Sequence, residues 1–314
     1  MSSMVVSVTP HIKSKNTTQK IMLDVIIALI PALVASVILF GFRALLLTCV
    51  SVTACVLCEY LWEKLLHMPV TVSDLSAVVT GILLAFNVPV GQPIWQLVVG
   101  DVVAIIGVKM LFGGLGCNFM NPALVGRIVI MFSFATDMSV YAVPKTAGAL
   151  VSSVDAVSTA TPLAMMEQLD WSNFLQLLLG NHGGALGGVC PAALLLGGIY
   201  LCARKVIKPI IPLCFIGSEV LFSWAFGGTQ PVLSLFAGGV MLGSIFMATD
   251  YVTSPHTDKG RVIFGLGCGF ITALIRVFGN YPEGVTFAIL LMNILVPYIN
   301  DWTMTKPLGG AAEK

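Results

Sequence analysis

Long apolar blocks follow one another along most of this chain, separated by short stretches in which glycine, proline and charged residues collect. A hydrocarbon layer of about 30 Å is crossed by roughly 20 helical residues. Blocks of that order predict helices near 21–40, 44–62, 72–87, 95–112, 121–135, 185–203, 209–226, 232–248, 261–278 and 284–300. The fold class that follows is all-α, a polytopic membrane protein of ten transmembrane helices. Composition agrees: 57% of the 314 residues are hydrophobic and 10% charged, and a mean hydropathy of +0.96 is more apolar surface than one water-soluble core can hide. The first twenty residues are polar, and the apolar run after them has no small-residue cleavage pattern, so it is expected to stay as a helix.

Charge sets the orientation. Lys13, Lys15 and Lys20 precede the first span, Lys64 follows the second, Lys109 ends the fourth, Arg204, Lys205 and Lys208 follow the sixth, and Lys259 and Arg261 follow the eighth. By the positive-inside rule both termini are cytoplasmic. The opposite loops carry few cations, mainly Arg43 and Lys145, and the long loop 136–184 falls outside the cytoplasm. A formal net charge of +1, with 16 Lys and Arg scattered over short loops, supplies no basic face for nucleic acid. The eight cysteines fall almost entirely in apolar segments, where a thiol behaves as a small buried hydrophobe. Cys55 and Cys58 have redox or metal spacing but no second pair, so a structural role is expected and no metal site is assigned.

The chain also repeats itself. Pro31-Ala32 recurs 160 positions later as Pro191-Ala192; Gly100, followed by Pro122, recurs as Gly260, followed by Pro282; Leu75-Ser76 with Gly81 recurs as Leu233-Ser234 with Gly239. These matches predict two five-helix repeats, 21–135 and 185–300, joined by the loop 136–184 and flanked by cytoplasmic segments 1–20 and 301–314. An odd number of spans per unit inverts the second copy in the membrane. The stretches Gly113-Gly114-Leu115-Gly116 to Asn121-Pro122 and Gly279 to Gly284 occupy equivalent places, where helices are expected to break.

The external loop contains Asp155-Ala156-Val157-Ser158-Thr159-Ala160-Thr161-Pro162, a run of small and hydroxyl side chains that reads by composition as a surface turn. It resembles the acceptor motif of flavin transferases, which join FMN through its phosphate to the hydroxyl of the last threonine. The whole chain resembles the RnfD family of electron-transport membrane proteins and, more distantly, the NqrB component of the sodium-pumping NADH:quinone reductase. The resemblance runs through Ser73-Asp74-Leu75-Ser76 with Thr80-Gly81, Phe119-Met120-Asn121-Pro122-Ala123, Phe246 to Pro255, and Tyr281-Pro282-Glu283-Gly284. It implies covalent FMN on Thr161, with Asp155, Ser158 and Ala160 completing the acceptor motif, and a second, non-covalent flavin such as riboflavin. In place of the motif's usual glycine stands Thr159, whose β-branch stiffens the turn. It further implies a bacterial cytoplasmic-membrane location and work as one component of an ion-translocating ferredoxin:NAD oxidoreductase. The partners are then a flavin transferase, two further membrane subunits, a second covalent-FMN subunit, and NADH-binding and iron–sulfur subunits. No nicotinamide fingerprint or iron–sulfur cysteine cluster stands in the chain itself, so no catalytic residue is assigned.

Ionisable groups inside membrane helices are costly and are functional candidates. They are Asp24, Asp74, Asp101, Lys109, Arg127, Glu219, Asp250, Arg276 and Glu283, most of them near helix ends where they can snorkel or cap. Glu219, halfway along the seventh span, is the candidate for an ion pathway; Arg127, just after the Asn121-Pro122 break, is placed to meet a flavin phosphate or a carboxylate. Paired inverted repeats with interrupted helices also describe channels and secondary transporters. The external acceptor loop is what separates that alternative from an electron-transfer flavoprotein.

Overall fold

The computed structural model describes residues 17–142, 158–159, 171, 174–228, 230–279 and 283–304. Nearly everything described is helical. The first half comprises α1 (Thr18–Phe40), α2 (Phe42–Leu65), a 3₁₀ turn (Val72–Asp74) leading into α3 (Ser76–Phe86), α4 (Ile94–Val102) continued as a π-helix (Val103–Met110), α5 (Pro122–Ser133) and the short α6 (Ala135–Ser139). After α7 (Phe174–Leu179) come α8 (Pro191–Ala203), α9 (Ile210–Ala225), the short α10 (Pro231–Ser234) and α11 (Val240–Leu242), a π-helical turn (Gly243–Met247), α12 (Asp258–Phe278) and α13 (Val285–Thr303). Among these, α1, α2, α12 and α13 are each long and apolar enough to cross a membrane; α3, α5, α8 and α9 are shorter apolar helices. Large apolar side chains such as Ile38, Leu196 and Trp302 are exposed on the outside, as lipid contact requires. This is a multi-pass, all-α membrane protein.

Three of the expected spans are not continuous helices. The block at 72–87 opens as the 3₁₀ turn and breaks at Leu75, whose φ of 65° is left-handed, so α3 starts only at Ser76. The block at 185–203 becomes helical only at Pro191, which takes the first helical turn where its missing N–H is harmless. Residues before it run beside the end of α3, with Leu186 N–H donating to Val88 O (3.0 Å), Gly187 N–H to Phe86 O (2.9 Å) and Ser36 Oγ to Leu186 O (2.7 Å). Gly187 permits this, since a Cβ there would enter the Phe86 ring. The block at 232–248 breaks at Gly238-Gly239 into α10, α11 and the π turn, because glycine pays the largest backbone entropy in a helix. The helix break expected at residues 113–121 is present: Gly113, Gly114 and Gly116 all have positive φ, and α5 starts anew with Asn121 as N-cap and Pro122 in its first turn.

Small residues set the closest helix contacts. A Cβ on Gly81 would stand 2.8 Å from Val52 Cα, locking α3 onto α2. On α12, Gly265 and Gly269 form a G-x-x-x-G face against α9, where a Cβ on Gly269 would lie 2.6 Å from Phe215 O and 2.7 Å from Glu219 N. The same α9–α12 contact carries a fully buried ion pair.

Candidate functional site

Of the flavin-acceptor motif, Asp155, Ala160 and Thr161 lie outside the described residues. Ser158–Thr159 forms strand β2, paired antiparallel with β1 (Tyr141–Ala142) in the register Tyr141 opposite Thr159 and Ala142 opposite Ser158. The middle of the motif is thus brought back to the chain that leaves α6.

Arg127 does meet a carboxylate. It is 4% exposed, ion-pairs through Nη2 with Glu283, and donates from Nη1 to Asn87 Oδ1 (3.0 Å) and Thr286 Oγ1 (2.8 Å). Its partners come from the end of α3 and the start of α13, so one planar guanidinium ties the two halves of the chain together, as its fork of donors allows. Its Nε is buried with no partner among the described residues.

A pocket of about 90 Å³ opens between α1, α3, α8, the loop before α5 and the chain after the second π turn. Its walls are largely apolar, with Thr80, Lys109, Asn118, Asn121, Asp250 and Tyr251 as polar points. Asn121 is held by its own helix, accepting from Ala123 N–H (3.1 Å), and donates to Met247 O (3.3 Å). Asp250 accepts from Thr253 Oγ1 (3.1 Å). Thr80, Asn121 and Asp250 stand in the sequence blocks that carried the family resemblance, but nothing in spacing alone joins them.

Expected ion-pathway residue Glu219 is fully buried and paired: Arg276 Nη1 donates to its Oε1 at 2.7 Å and to Ser234 O at 3.1 Å, while Ser234 Oγ donates to Glu219 at 3.4 Å. Of the ionisable groups expected to snorkel or cap near helix ends, Asp74 accepts from Ser76 N–H (2.8 Å) at the start of α3, whereas Lys109, Asp101, Arg127 and Arg276 are buried. Lys109 Nζ lies 2.8 and 2.7 Å from the two carboxylate oxygens of Glu59 and 2.5 Å from Ser76 Oγ. The physical reason is that each finds a partner on a neighbouring helix, which removes the need to reach headgroups. Glu59 and Glu63 were not among the expected candidates. A signal for them existed: Ser51, Cys55, Glu59 and Glu63 recur every fourth residue, one polar stripe on an apolar helix.

The same triad therefore occurs twice. Glu59 and Glu219 are 160 positions apart, Ser76 and Ser234 158 apart, and each glutamate is bound by a cation two residues or fewer from the end of a helical segment that packs on its own helix. Among the described residues no group of three or more His, Cys, Asp or Glu suited to hold a metal ion occurs.

Fold and site define a multi-pass helical membrane protein built around buried ion pairs and a mostly apolar pocket. The chain belongs to the NQR2, RnfD, RnfE family, which matches residues 5–309. It is 44% identical over 312 residues to the D component of the Na⁺-translocating ferredoxin:NAD⁺ oxidoreductase complex of Acetobacterium woodii, covering 98% of this chain and 96% of that protein. It is 39% identical to the D component of the proton-translocating ferredoxin:NAD⁺ oxidoreductase complex of Clostridium ljungdahlii, over 97% of this chain and 96% of that one. The D component of the ion-translocating oxidoreductase complex of Actinobacillus succinogenes is 36% identical, over 96% of each.

Proposed function

We propose that this chain is a membrane electron-transfer flavoprotein within an ion-translocating ferredoxin:NAD⁺ oxidoreductase, carrying FMN as a phosphoester on Thr161. The observation that carries the proposal is the acceptor pattern Asp155, Ser158, Ala160, Thr161 in a chain similar over nearly its whole length to the D components of two such complexes. A hydroxyl flanked by small side chains suits an enzyme-catalysed phosphoester, and covalent attachment keeps an electron carrier from diffusing away. The ten spans then form two inverted five-helix repeats, with both termini cytoplasmic, the FMN loop outside the cytoplasmic membrane, and NAD and ferredoxin handled by partner subunits.

The second, non-covalent flavin is assigned to the pocket. Its apolar walls suit the faces of an isoalloxazine ring, and Thr80, Asn118 and Asn121 suit the ring's polar edge. A flavin there supplies the redox chemistry; Thr80 and the two asparagines orient it, and the apolar walls exclude water.

The test is flavin fluorescence of the protein on a denaturing gel, after expression with the flavin transferase. Fluorescence is expected in the wild type and absent in Thr161→Ala. Fluorescence that survives the substitution moves the attachment site elsewhere, and a dark wild type overturns the covalent-flavin proposal.

A further inference from the structure

Asp101, on α4, is a buried acidic group with no ion-pair partner among the described residues. It is 0% exposed. Its Oδ1 lies 2.6 Å from Ser51 Oγ and 3.3 Å from Cys55 Sγ, both on α2. Its Oδ2 is buried with no hydrogen-bond partner among the described residues. The nearest basic side chain on its own helix, Lys109, is two turns further along and already taken by Glu59 and Ser76. From α2 the titratable neighbours are Cys55, Cys58 and, one layer on, Glu59; α3 has no titratable residue; Arg127 of α5 is occupied by Glu283, Asn87 and Thr286.

Counting hydrogens shows what is missing. Ser51 Oγ lies within hydrogen-bond distance of two oxygens, Asp101 Oδ1 at 2.6 Å and the Gly81 carbonyl at 2.9 Å, and a hydroxyl carries a single hydrogen. A protonated Asp101 gives each contact its own hydrogen, whereas an ionised Asp101 leaves one hydroxyl hydrogen shared between two acceptors. With a proton on Oδ1, the carboxyl donates to Ser51, Ser51 donates to Gly81 O, and Oδ2 is left as a neutral carbonyl. Without it, a carboxylate is buried in a helix bundle with no cation beside it, its Oδ2 without a donor among the described residues and its Oδ1 held only by the Ser51 hydroxyl and the Cys55 thiol, a costly state for a charge. Gly81 makes the relay possible, since its missing side chain lets α3 bring this carbonyl against α2.

We infer that Asp101 is a proton-binding site in the membrane interior, holding one proton on its carboxyl group in a relay with Ser51 and the Gly81 carbonyl. The route to it is the polar stripe of α2. Glu63, whose Oε2 is buried and unpartnered and whose Oε1 accepts from Thr71 N–H (3.0 Å), stands at the end of the helix; Glu59 and Cys55 follow at four-residue steps, and Ser51 closes the row against Asp101. Neighbours at that spacing on a helix are about 5–6 Å apart. The ligand is a proton and not a larger cation, because the carboxylate, hydroxyl and carbonyl oxygens already touch one another and a soft thiol completes the shell.

The test uses the assembled complex in membranes at neutral pH. Infrared spectra of wild type minus Asp101→Asn are expected to show the carbonyl stretch of a protonated carboxylic acid, shifting down in heavy water and unchanged by sodium. A difference confined to carboxylate bands overturns the inference, and so does a carboxylic-acid band that sodium abolishes. Should Asp101→Asn fail to assemble, a membrane-soluble carbodiimide, which reacts with protonated buried carboxyls, decides on the wild type. Sodium-insensitive modification of the Asp101 peptide is expected; an unmodified peptide, or one that sodium protects, overturns it. Neither readout involves flavin, so the result is independent of Thr161.

Discussion

Removing one partner of the Glu219–Arg276 pair should unfold more of this protein than any other single polar substitution. Arg276 Nε and Nη2 have no partner among the described residues, so its charge is compensated by Glu219 alone, at 2.7 Å, with one further bond to Ser234 O. Both side chains are 0% exposed. Breaking a buried pair from one side costs about 3–5 kcal/mol, because a charge is left without compensation. Removing both charges recovers much of that, since the desolvation cost goes with them. The assay is a double-mutant cycle, Glu219→Gln, Arg276→Gln and the pair together, read by denaturant titration in micelles or nanodiscs. Each single variant is expected to lose about 3 kcal/mol or more, and the coupling energy to reach about 1–3 kcal/mol. Single losses within about 0.5 kcal/mol, the range of inconsequential surface changes, or strict additivity, would refute the argument. The Glu59–Lys109 pair gives an internal comparison. Each cation keeps one serine oxygen, Ser76 Oγ for Lys109 and Ser234 O for Arg276, but Lys109 also borders the pocket, so Glu59→Gln should cost less than Glu219→Gln.

Two further outcomes follow from packing and burial. Gly81→Ala places a methyl 2.8–3.0 Å from the Val52 and Ser51 backbone, which cannot yield as a side-chain tip can, so a loss of about 1–3 kcal/mol is expected by the same titration. His182, outside the spans, is buried and its imidazole is held below the ordinary range, chiefly by that desolvation. The unfolded chain, with an ordinary pKa near 6.5, then binds the proton first, so stability is complete above about pH 6.5 and falls by up to about 1.4 kcal/mol per pH unit below it. His182→Gln should flatten the pH dependence of the thermal midpoint over that window.

Much of the architecture was legible because lipid imposes one period and one length on every span. The apolar runs of α1, α2, α12 and α13 stand in the structure within a few residues of where hydropathy puts them. The spans at 185–203 and 232–248 were too long because a run such as Ala185-Leu186 remains apolar while Gly187-Gly188 and Gly238-Gly239 let the backbone leave the helix. Hydropathy measures what a segment buries, and conformation at glycine is decided by what packs against it. Site residues divide in the same way. The position of Arg127 next to the Asn121-Pro122 break announced a polar contact, and Glu283 supplies it. The four-residue stripe Ser51, Cys55, Glu59 and Glu63 marks Glu59 as polar, but its partner Lys109, fifty residues away, stands outside that pattern. Pairings over such distances are a property of how α2 and α4 pack, which no local pattern encodes.

The twin triads also bear on topology. Glu59 and Glu219 each stand six residues before the end of their helix, Leu65 and Ala225 respectively. If the halves are inverted copies, those two ends face opposite sides of the membrane, although the triads themselves are alike. Charge counting agrees, with Lys64 at the end of α2 and no Lys or Arg between Lys208 and Lys259. In a background without the native thiols, Leu66→Cys and Phe226→Cys report these ends directly. A membrane-impermeant thiol reagent added to sealed, inside-out vesicles should label the first and leave the second unmodified until detergent is added. Labelling of both before detergent would mean that the two triads share a face, and that the 160-residue repeat reflects common helix packing without inversion.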